Sequence, residues 1–587
     1  MVKKLCAYIG EYKKWVVLAP ILMVLEVICE IIMPRLMASI VDVGIANGDM
    51  GHIIRMGLAM LLLAAGGMVC GVWGAKAATV AGQGFGANLR NAMFQKVQDF
   101  SFADIDRFSS ASLITRTTND VNQMQMMLTM AVRMVVRAPT MLIAALFMAI
   151  SINAELAVVL LVTIPILLLA VGIIMKVCNK LFETLQQKID NLNNAVQENL
   201  VAVRVVKAFV RAGYERTKFK KANDDLCEAG VTVAMRIVAI MPVMTLCLNG
   251  ATLAVLYLGG CQVMGGTMRY GDLSSFINYI AQILMSVMMV GMSLLQVSRS
   301  VACGRRLVEV LDTDPDIQDL PGALPASRPE GEEGPVLPPA QGRVEFRDVD
   351  FKYRSGTGDN VLEKLNFTME PGQFTAIVGG TGVGKSSLVN LIPRFYDVTG
   401  GAVLVDGADV RDYPIEELRS RIGMVLQNNV LFSGTIRENL LWGRPGATEE
   451  EMIQAAKDAQ AYDFITALPD GFDTRLDQGG TNVSGGQKQR LCIARAMLRK
   501  PAILILDDST SAVDSATEAA IRESFAENLA DTTVIIIAQR ISSVRYADQI
   551  LVLDDGTIVG HGTHDELMAS NEVYQEIYNS QQEGVGE

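Results

Sequence analysis

Charge is scarce in this chain: Asp, Glu, Lys and Arg make up 19% of its 587 residues, where an ordinary soluble protein carries about a quarter. Basic residues are the smaller share of that charge. Fifty-one Lys and Arg stand against 63 Asp and Glu, a net charge of −12, which argues against nucleic acid as the main partner. Only three histidines occur. Nine cysteines (Cys6, Cys29, Cys70, Cys178, Cys227, Cys247, Cys261, Cys303 and Cys492) are scattered without paired spacing, most inside apolar runs. Neither a disulfide framework nor a zinc site is expected. What the chain has in excess is apolar side chains, 50% of the total. Its length exceeds the roughly 250–300 residues at which a single core stops growing, so at least two domains are expected.

The apolar excess sits in the first half, in runs near Trp15–Val41, Met56–Ala81, Met134–Ile152, Leu156–Val177, Ile237–Val263 and Leu273–Val297. Each is long enough, at 1.5 Å per residue, to cross a hydrocarbon layer of roughly 30 Å. Six membrane spans are expected. The first run is no secretory leader: it is too long, and Glu26, Glu30 and Arg35 interrupt it. Gaps after the first, third and fifth runs are short, whereas those after the second and fourth are long, helical in pattern and rich in Lys and Arg, such as Arg204, Lys207, Arg211, Arg216 and Lys218. With the lysines at 3, 4, 13 and 14, this bias places the N-terminus and both long gaps on the cytoplasmic side. An even number of spans leaves everything after Val297 there too. The long gaps read as two helical hairpins with tips near Ser109–Asn122 and Val210–Lys220, able to touch a cytoplasmic domain. The stretch 312–341 is rich in Pro, Gly and Glu and reads as a linker. Residues 1–311 are thus expected to form the membrane domain, 342–580 a cytoplasmic domain and 581–587 a polar tail.

From Arg343 onward, short β-branched strands alternate with helices. The strand Thr375-Ala376-Ile377-Val378 runs into Gly379-Gly380-Thr381-Gly382-Val383-Gly384-Lys385-Ser386, followed by the helical Ser387-Leu388-Val389. This is G-x-x-x-x-G-K-[ST] in its strand-loop-helix context. The glycines let backbone N–H groups turn inward around phosphates, Lys385 supplies a point charge, and the Ser386 hydroxyl can ligate Mg²⁺. A second apolar strand, Ala502–Leu506, ends in Asp507, placed to hold the same metal. Asn482-Val483-Ser484-Gly485-Gly486-Gln487 opens a helix. Alone it would be a plain helix cap, but it also offers a second anion site from free backbone donors and a positive dipole end.

Together these motifs resemble the nucleotide-binding domain of the ATP-binding cassette (ABC) superfamily, and the whole chain resembles an exporter half-transporter, a six-span α-helical domain followed by one α/β P-loop cassette. The resemblance implies ATP and Mg²⁺ as ligands. It implies that Tyr353 stacks on adenine, that the segment from Gly379 to Ser387 holds the phosphates, and that Ser386, Gln427 and Asp507 bind the metal. Ser511-Ala512-Val513-Asp514 resembles the loop that crosses to a second cassette. In this family two cassettes meet head to tail, so Ser484, Gly485, Gly486 and Gln487 act on ATP bound by the partner.

Two positions depart from that pattern. Where the family places Glu as the base that polarises the attacking water, this chain has Asp508, and where it places a switch histidine, this chain has Gln539. One methylene fewer withdraws the carboxylate by about 1.5 Å, and Gln has no proton equilibrium near neutral pH. The chain is therefore expected to bind ATP well, split it slowly, and pair with a non-identical half-transporter whose own site is complete. A slow homodimer and an ATP-gated channel or regulatory subunit are the alternatives. The setting implied is a bacterial plasma membrane, with a drug, lipid or peptide of hydrophobic or amphipathic character as cargo. Glu26 and Glu30, four residues apart in the first span, either meet a cationic substrate, sit near an aqueous end, or pair internally. Met285, Met288, Met289 and Met292, with Asn278 and Gln282, either line an adaptable cavity or pack.

Overall fold

A computed structural model describes residues 1–320, 324, 336–353, 358–508 and 514–583. Linker residues 321–323 and 325–335, the crossing-loop residues Ser511, Ala512 and Val513, and the side chain of Met292 lie outside the described residues. The chain forms two compact units that interleave in sequence: Met1–Lys96 with Ala111–Thr313, and Val97–Ser110 with Asp314–Glu587.

The first unit is all helix. Five stretches are long and apolar enough to cross a membrane: Gly10–Ile45, Met50–Gln98, Ser110–Ile152, Ala212–Met264 and Tyr270–Val290. The fourth run expected from sequence lies in the helix Ala154–Val201, where the described apolar stretch, Ala154–Ala170, is shorter than a span. Five such stretches therefore stand among the described residues, and the fourth expected run is only partly covered by them. Asn153 makes the tight reversal before this helix. Its backbone is extended, and its side chain accepts hydrogen bonds from the N–H groups of Glu155 and Leu156, capping the helix. Pro20 and Pro34 lie inside the helix Lys13–Ser39. A proline breaks the local backbone ladder. Around Pro34 the helix Tyr270–Asp312 supplies donors, with Tyr279 Oη bonding the Ile31 carbonyl at 2.8 Å and Ser275 Oγ the Pro34 carbonyl at 2.6 Å.

Glu26 and Glu30 pair internally. Arg137 Nη1 lies 3.1 Å from Glu26 and its Nη2 lies 2.9 Å from Glu30. Such pairing is expected of charges in a span, since exposing each to lipid costs at least ~2.5–3.5 kcal/mol. Of the methionines, Met288 packs against the apolar core of this unit, whereas Met285 and Met289 are exposed.

The second unit contains two main sheets. A six-stranded sheet runs Thr557–Gly562, Gln549–Asp554, Phe374–Gly379, Thr533–Ile537, Ile503–Asp507 and Ile422–Val425 in spatial order, parallel except at the Thr557–Gly562 edge. Its central strands are buried along their whole length, which is why they read as unbroken apolar runs instead of alternating ones. An antiparallel sheet of Leu362–Met369, Val344–Phe351, Gly400–Val405 and Ala408–Asp409 stands beside it. The described parts of the linker follow this unit: Leu337 is buried in its core, and the Leu324 N–H donates to the Asp412 carbonyl at 2.8 Å. The last helix, Glu572–Glu583, includes 581–583, so those residues are not a free tail.

Both hairpin tips lie earlier than the sequence pattern places them. The first turn is built by Ser101 and Asp104, whose reciprocal capping box opens the short helix Phe102–Phe108. The polar cluster after Ser109 starts the return helix instead. Its hydroxyls on Thr115, Thr117 and Thr118 bond carbonyls four residues back, so residues that looked turn-forming are satisfied within a helix. The second tip falls at the short helix Val203–Ala208, before the helix Ala212–Val238. The first tip belongs to the cassette unit: Phe102 packs on Phe395 at 4.5 Å between ring centroids, and Tyr396 Oη donates to Asp106 at 3.1 Å. At the second, Phe209 and Val210 are exposed.

Candidate nucleotide site

Parallel strands aim their carboxyl ends the same way, and ligand sites of open α/β sheets form at those ends. Ile377, Ile537 and Asp507 lie level across three neighbouring strands. The residues just beyond them, from Gly379, Asp508 and Gln539 onward, therefore gather at one edge. The Phe374–Gly379 strand turns through the glycine loop into the helix Lys385–Leu391. Gly384, which caps that helix, has φ of +102°, and a Cβ there would press on Leu362 and the Val361 carbonyl. Only glycine takes this conformation cheaply.

Lys385 Nζ donates to the carbonyls of Gly379, at 2.9 Å, and Gly380. Burial pulls its ammonium below the usual lysine range, against the opposing pull of Asp508 and Asp507. Ser386 Oγ donates to Asp507 at 2.9 Å, so the two proposed metal-binding side chains meet. Burial pushes the Asp507 carboxyl up, although the Ser386 bond opposes it. The donors here are oxygens, the type Mg²⁺ prefers, and Mg²⁺ commonly needs only one or two carboxylates because phosphates and water complete its shell. The residues present fit that ion.

The two departures from the family pattern touch each other. Gln539 Nε2 donates to the Asp508 carboxylate at 2.7 Å, and Gln427 also hydrogen-bonds that carboxylate. Burial raises the Asp508 carboxyl above the ordinary range, while these two amides draw it down. The Asp508 backbone sits in the left-handed region, φ +48°. Asp tolerates this better than most residues, and the Asp508 N–H donates to the Ile537 carbonyl at 3.1 Å.

Ser484 caps the helix Gly485–Leu498 in a reciprocal box with Gln487: Gln487 N donates to Ser484 Oγ at 3.3 Å, and Ser484 N to Gln487 Oε1 at 2.9 Å. Gly485 and Gly486 thus form the first turn of a 14-residue helix. On the same helix, Gln489 is buried, and its side chain donates to the Asp508 carbonyl at 3.4 Å. Sequence reading missed this link. Its only signal is a polar residue at a position inside a helix that is otherwise buried. Asp514, the described member of the crossing loop, caps the helix Ser515–Asn528 by accepting from Thr517 N.

Tyr353 follows the strand Val344–Phe351. Its hydroxyl shares a 2.8 Å hydrogen bond with Ser387 Oγ, and its ring meets Phe351 and Tyr396 edge-on. Tyr396, also missed from sequence, therefore touches both Tyr353 and the first hairpin tip, through Asp106.

Residues 16–287 match the family pattern described as ABC transporter transmembrane region, and residues 362–511 that of ABC transporter. The uncharacterized ABC transporter ATP-binding protein YfiB of Bacillus subtilis is 39% identical over 579 residues, 99% of this chain and 98% of that protein. The fatty acid ABC transporter ATP-binding/permease protein of Mycobacterium tuberculosis is 38% identical over 489 residues, 83% of this chain and 75% of that protein. Among solved structures, a bacterial Atm1-family ABC exporter with ATP bound superimposes with a TM-score of 0.80 at 26% identity, covering 97% of this chain and 99% of that one.

Proposed function

This chain belongs to the ABC transporter family, and on that premise we propose that it is one subunit of an ATP-driven exporter moving an amphipathic or hydrophobic substrate out of the cytoplasm by alternating access. The observation that carries this reading is the cluster at the ends of the central strands. Lys385, Ser386 and Asp507 stand together there, and Asp508 and Gln539 face each other where hydrolysis would occur. Lys385 and the backbone of Gly379 to Ser387 hold the ATP phosphates, and Tyr353 takes the adenine. Ser386, Gln427 and Asp507 hold Mg²⁺, which when bound neutralises charge on the phosphates. A lipid-like cargo is supported by the fatty acid transporter among the relatives. The chain spans a bacterial plasma membrane six times, with residues 1–311 as the membrane domain and 342–580 as a cytoplasmic cassette.

Its partner is a non-identical half-transporter. Asp508 is short for a base. A misplacement of ~1 Å costs on the order of a hundredfold in rate, and Gln539 brings no proton equilibrium to the switch position. The Ser484 box, which serves the partner's ATP, is intact. The exposed Phe209 and Val210 of the second tip also favour a partner chain that covers them.

The test is ATP turnover by the purified full-length protein alone and beside its mate. The chain alone is expected to bind ATP and hydrolyse it slowly, and Asp508→Ala to change little in the pair. Brisk turnover by the self-paired chain, lost in Asp508→Ala, would overturn the two-subunit reading. Transport only down a gradient in vesicles holding the complex would overturn export in favour of an ATP-gated channel.

A further inference from the structure

The last helix, Glu572–Glu583, presents Tyr574, Ile577, Tyr578 and Gln581 at helical spacing on one face. Tyr574 is fully buried, and its hydroxyl shares a 2.8 Å hydrogen bond with His564 Nδ1. Ile577 and Tyr578 pack against the cassette core. That face therefore delivers Gln581 inward, one turn beyond its anchors, onto the loop that follows the central strand Thr533–Ile537. There one amide grips the backbone twice: Gln581 Nε2 donates to the Gln539 carbonyl at 2.7 Å, and Gln581 Oε1 accepts from Ile541 N at 2.9 Å. The Gln539 side chain leaves the same segment to donate to Asp508 at 2.7 Å.

We propose that Gln581 is a positioning residue for hydrolysis: from the C-terminal helix it fixes the Gln539–Ile541 backbone so that the Gln539 amide meets Asp508. This rests on the reading of Asp508 and Gln539 as the hydrolytic side of the site. The physical basis is that a side chain in a loop can be aimed only as well as its backbone is held. Two bonds from one rigid amide fix both the position and the tilt of the peptide planes on either side of Arg540. The C-terminal helix thereby becomes part of the switch, and whatever displaces that helix also releases Gln539.

The test uses the full-length chain in lipid nanodiscs, with single-turnover ATP hydrolysis and amide hydrogen exchange as readouts. Gln581→Ala should speed exchange at the Ile541 amide and lower the hydrolysis rate roughly three- to tenfold, the worth of one or two hydrogen bonds, with the KM for ATP unchanged. Gln581→Glu keeps the acceptor for Ile541 N but loses the donor to Gln539. It should retain exchange protection yet still lose rate, and it guards against a merely unfolded Ala variant. In a Gln539→Ala background, Gln581→Ala should cost nothing further. Equal losses in both backgrounds, a raised KM with unchanged rate, or wild-type exchange at Ile541 in Gln581→Ala would each overturn the proposal. An unaltered single-turnover rate in Asp508→Ala of the chain alone, without its mate, would instead sink the site reading, whereas the exchange measurement at Ile541 judges the clamp independently.

Discussion

The cassette carries two half-sites that differ in what has changed. At the signature helix, Ser484 and Gln487 form a complete reciprocal cap, so the first-turn N–H groups are oriented by two bonds. At the phosphate loop the cradle is equally complete, but the side chains beyond it are altered, and Gln539 donates to Asp508. Binding geometry comes from backbone and caps, and it survives changes in the reactive side chains. Catalysis depends on where one carboxylate ends. On the proposed reading, this cassette keeps its grip on nucleotide while giving up cleavage.

That contrast breaks most readily at Asp508. Lengthening it with Asp508→Glu should speed single-turnover hydrolysis by the full-length chain by about a hundredfold; an unchanged rate would mean that carboxylate reach is not the limit. Ser484→Ala should leave ATP binding by this chain intact while slowing the paired complex about fivefold, matching the ~1 kcal/mol worth of a cap. Filter binding and turnover measured side by side would separate the two half-sites, and a loss of binding by this chain would erase the distinction. The smallest effect concerns pH. In the proposed role Asp508 acts as the ionised carboxylate; burial raises its pKa, and the Gln539 bond lowers it. Removing that bond with Gln539→Ala raises the pKa further, so less carboxylate is ionised at a given pH. The acid limb of the hydrolysis profile should move to higher pH. Movement the other way would show that Gln539 does not stabilise the charged form.

Much of this site could be read in advance. The segment from Gly379 to Ser387, Asp507 and the Ser484 to Gln487 box are contiguous motifs, and their local geometry follows from glycine conformations and capping chemistry, which act over a few residues. Contacts between distant segments could not be read in this way. Nothing near Gln489 announces that its amide reaches the Asp508 carbonyl, nor does Gln581 announce its grip on a loop some forty residues earlier in the chain. The hairpin tips failed for a related reason. Polar residues such as Thr117 and Thr118 suit a turn or a helix, and the choice fell to hydroxyl bonds within the helix and to the Ser101 cap upstream.

The sequence by itself determined the membrane half, the phosphate loop and the two altered positions, because hydropathy and motif chemistry are properties of short stretches. Tertiary structure alone decided that Arg137 answers Glu26 and Glu30, that Gln539 meets Asp508, and that the first hairpin tip packs with the cassette. Each of those pairings joins segments whose meeting depends on strand order and helix packing, and a side chain's partner is fixed only when the chain around both is folded.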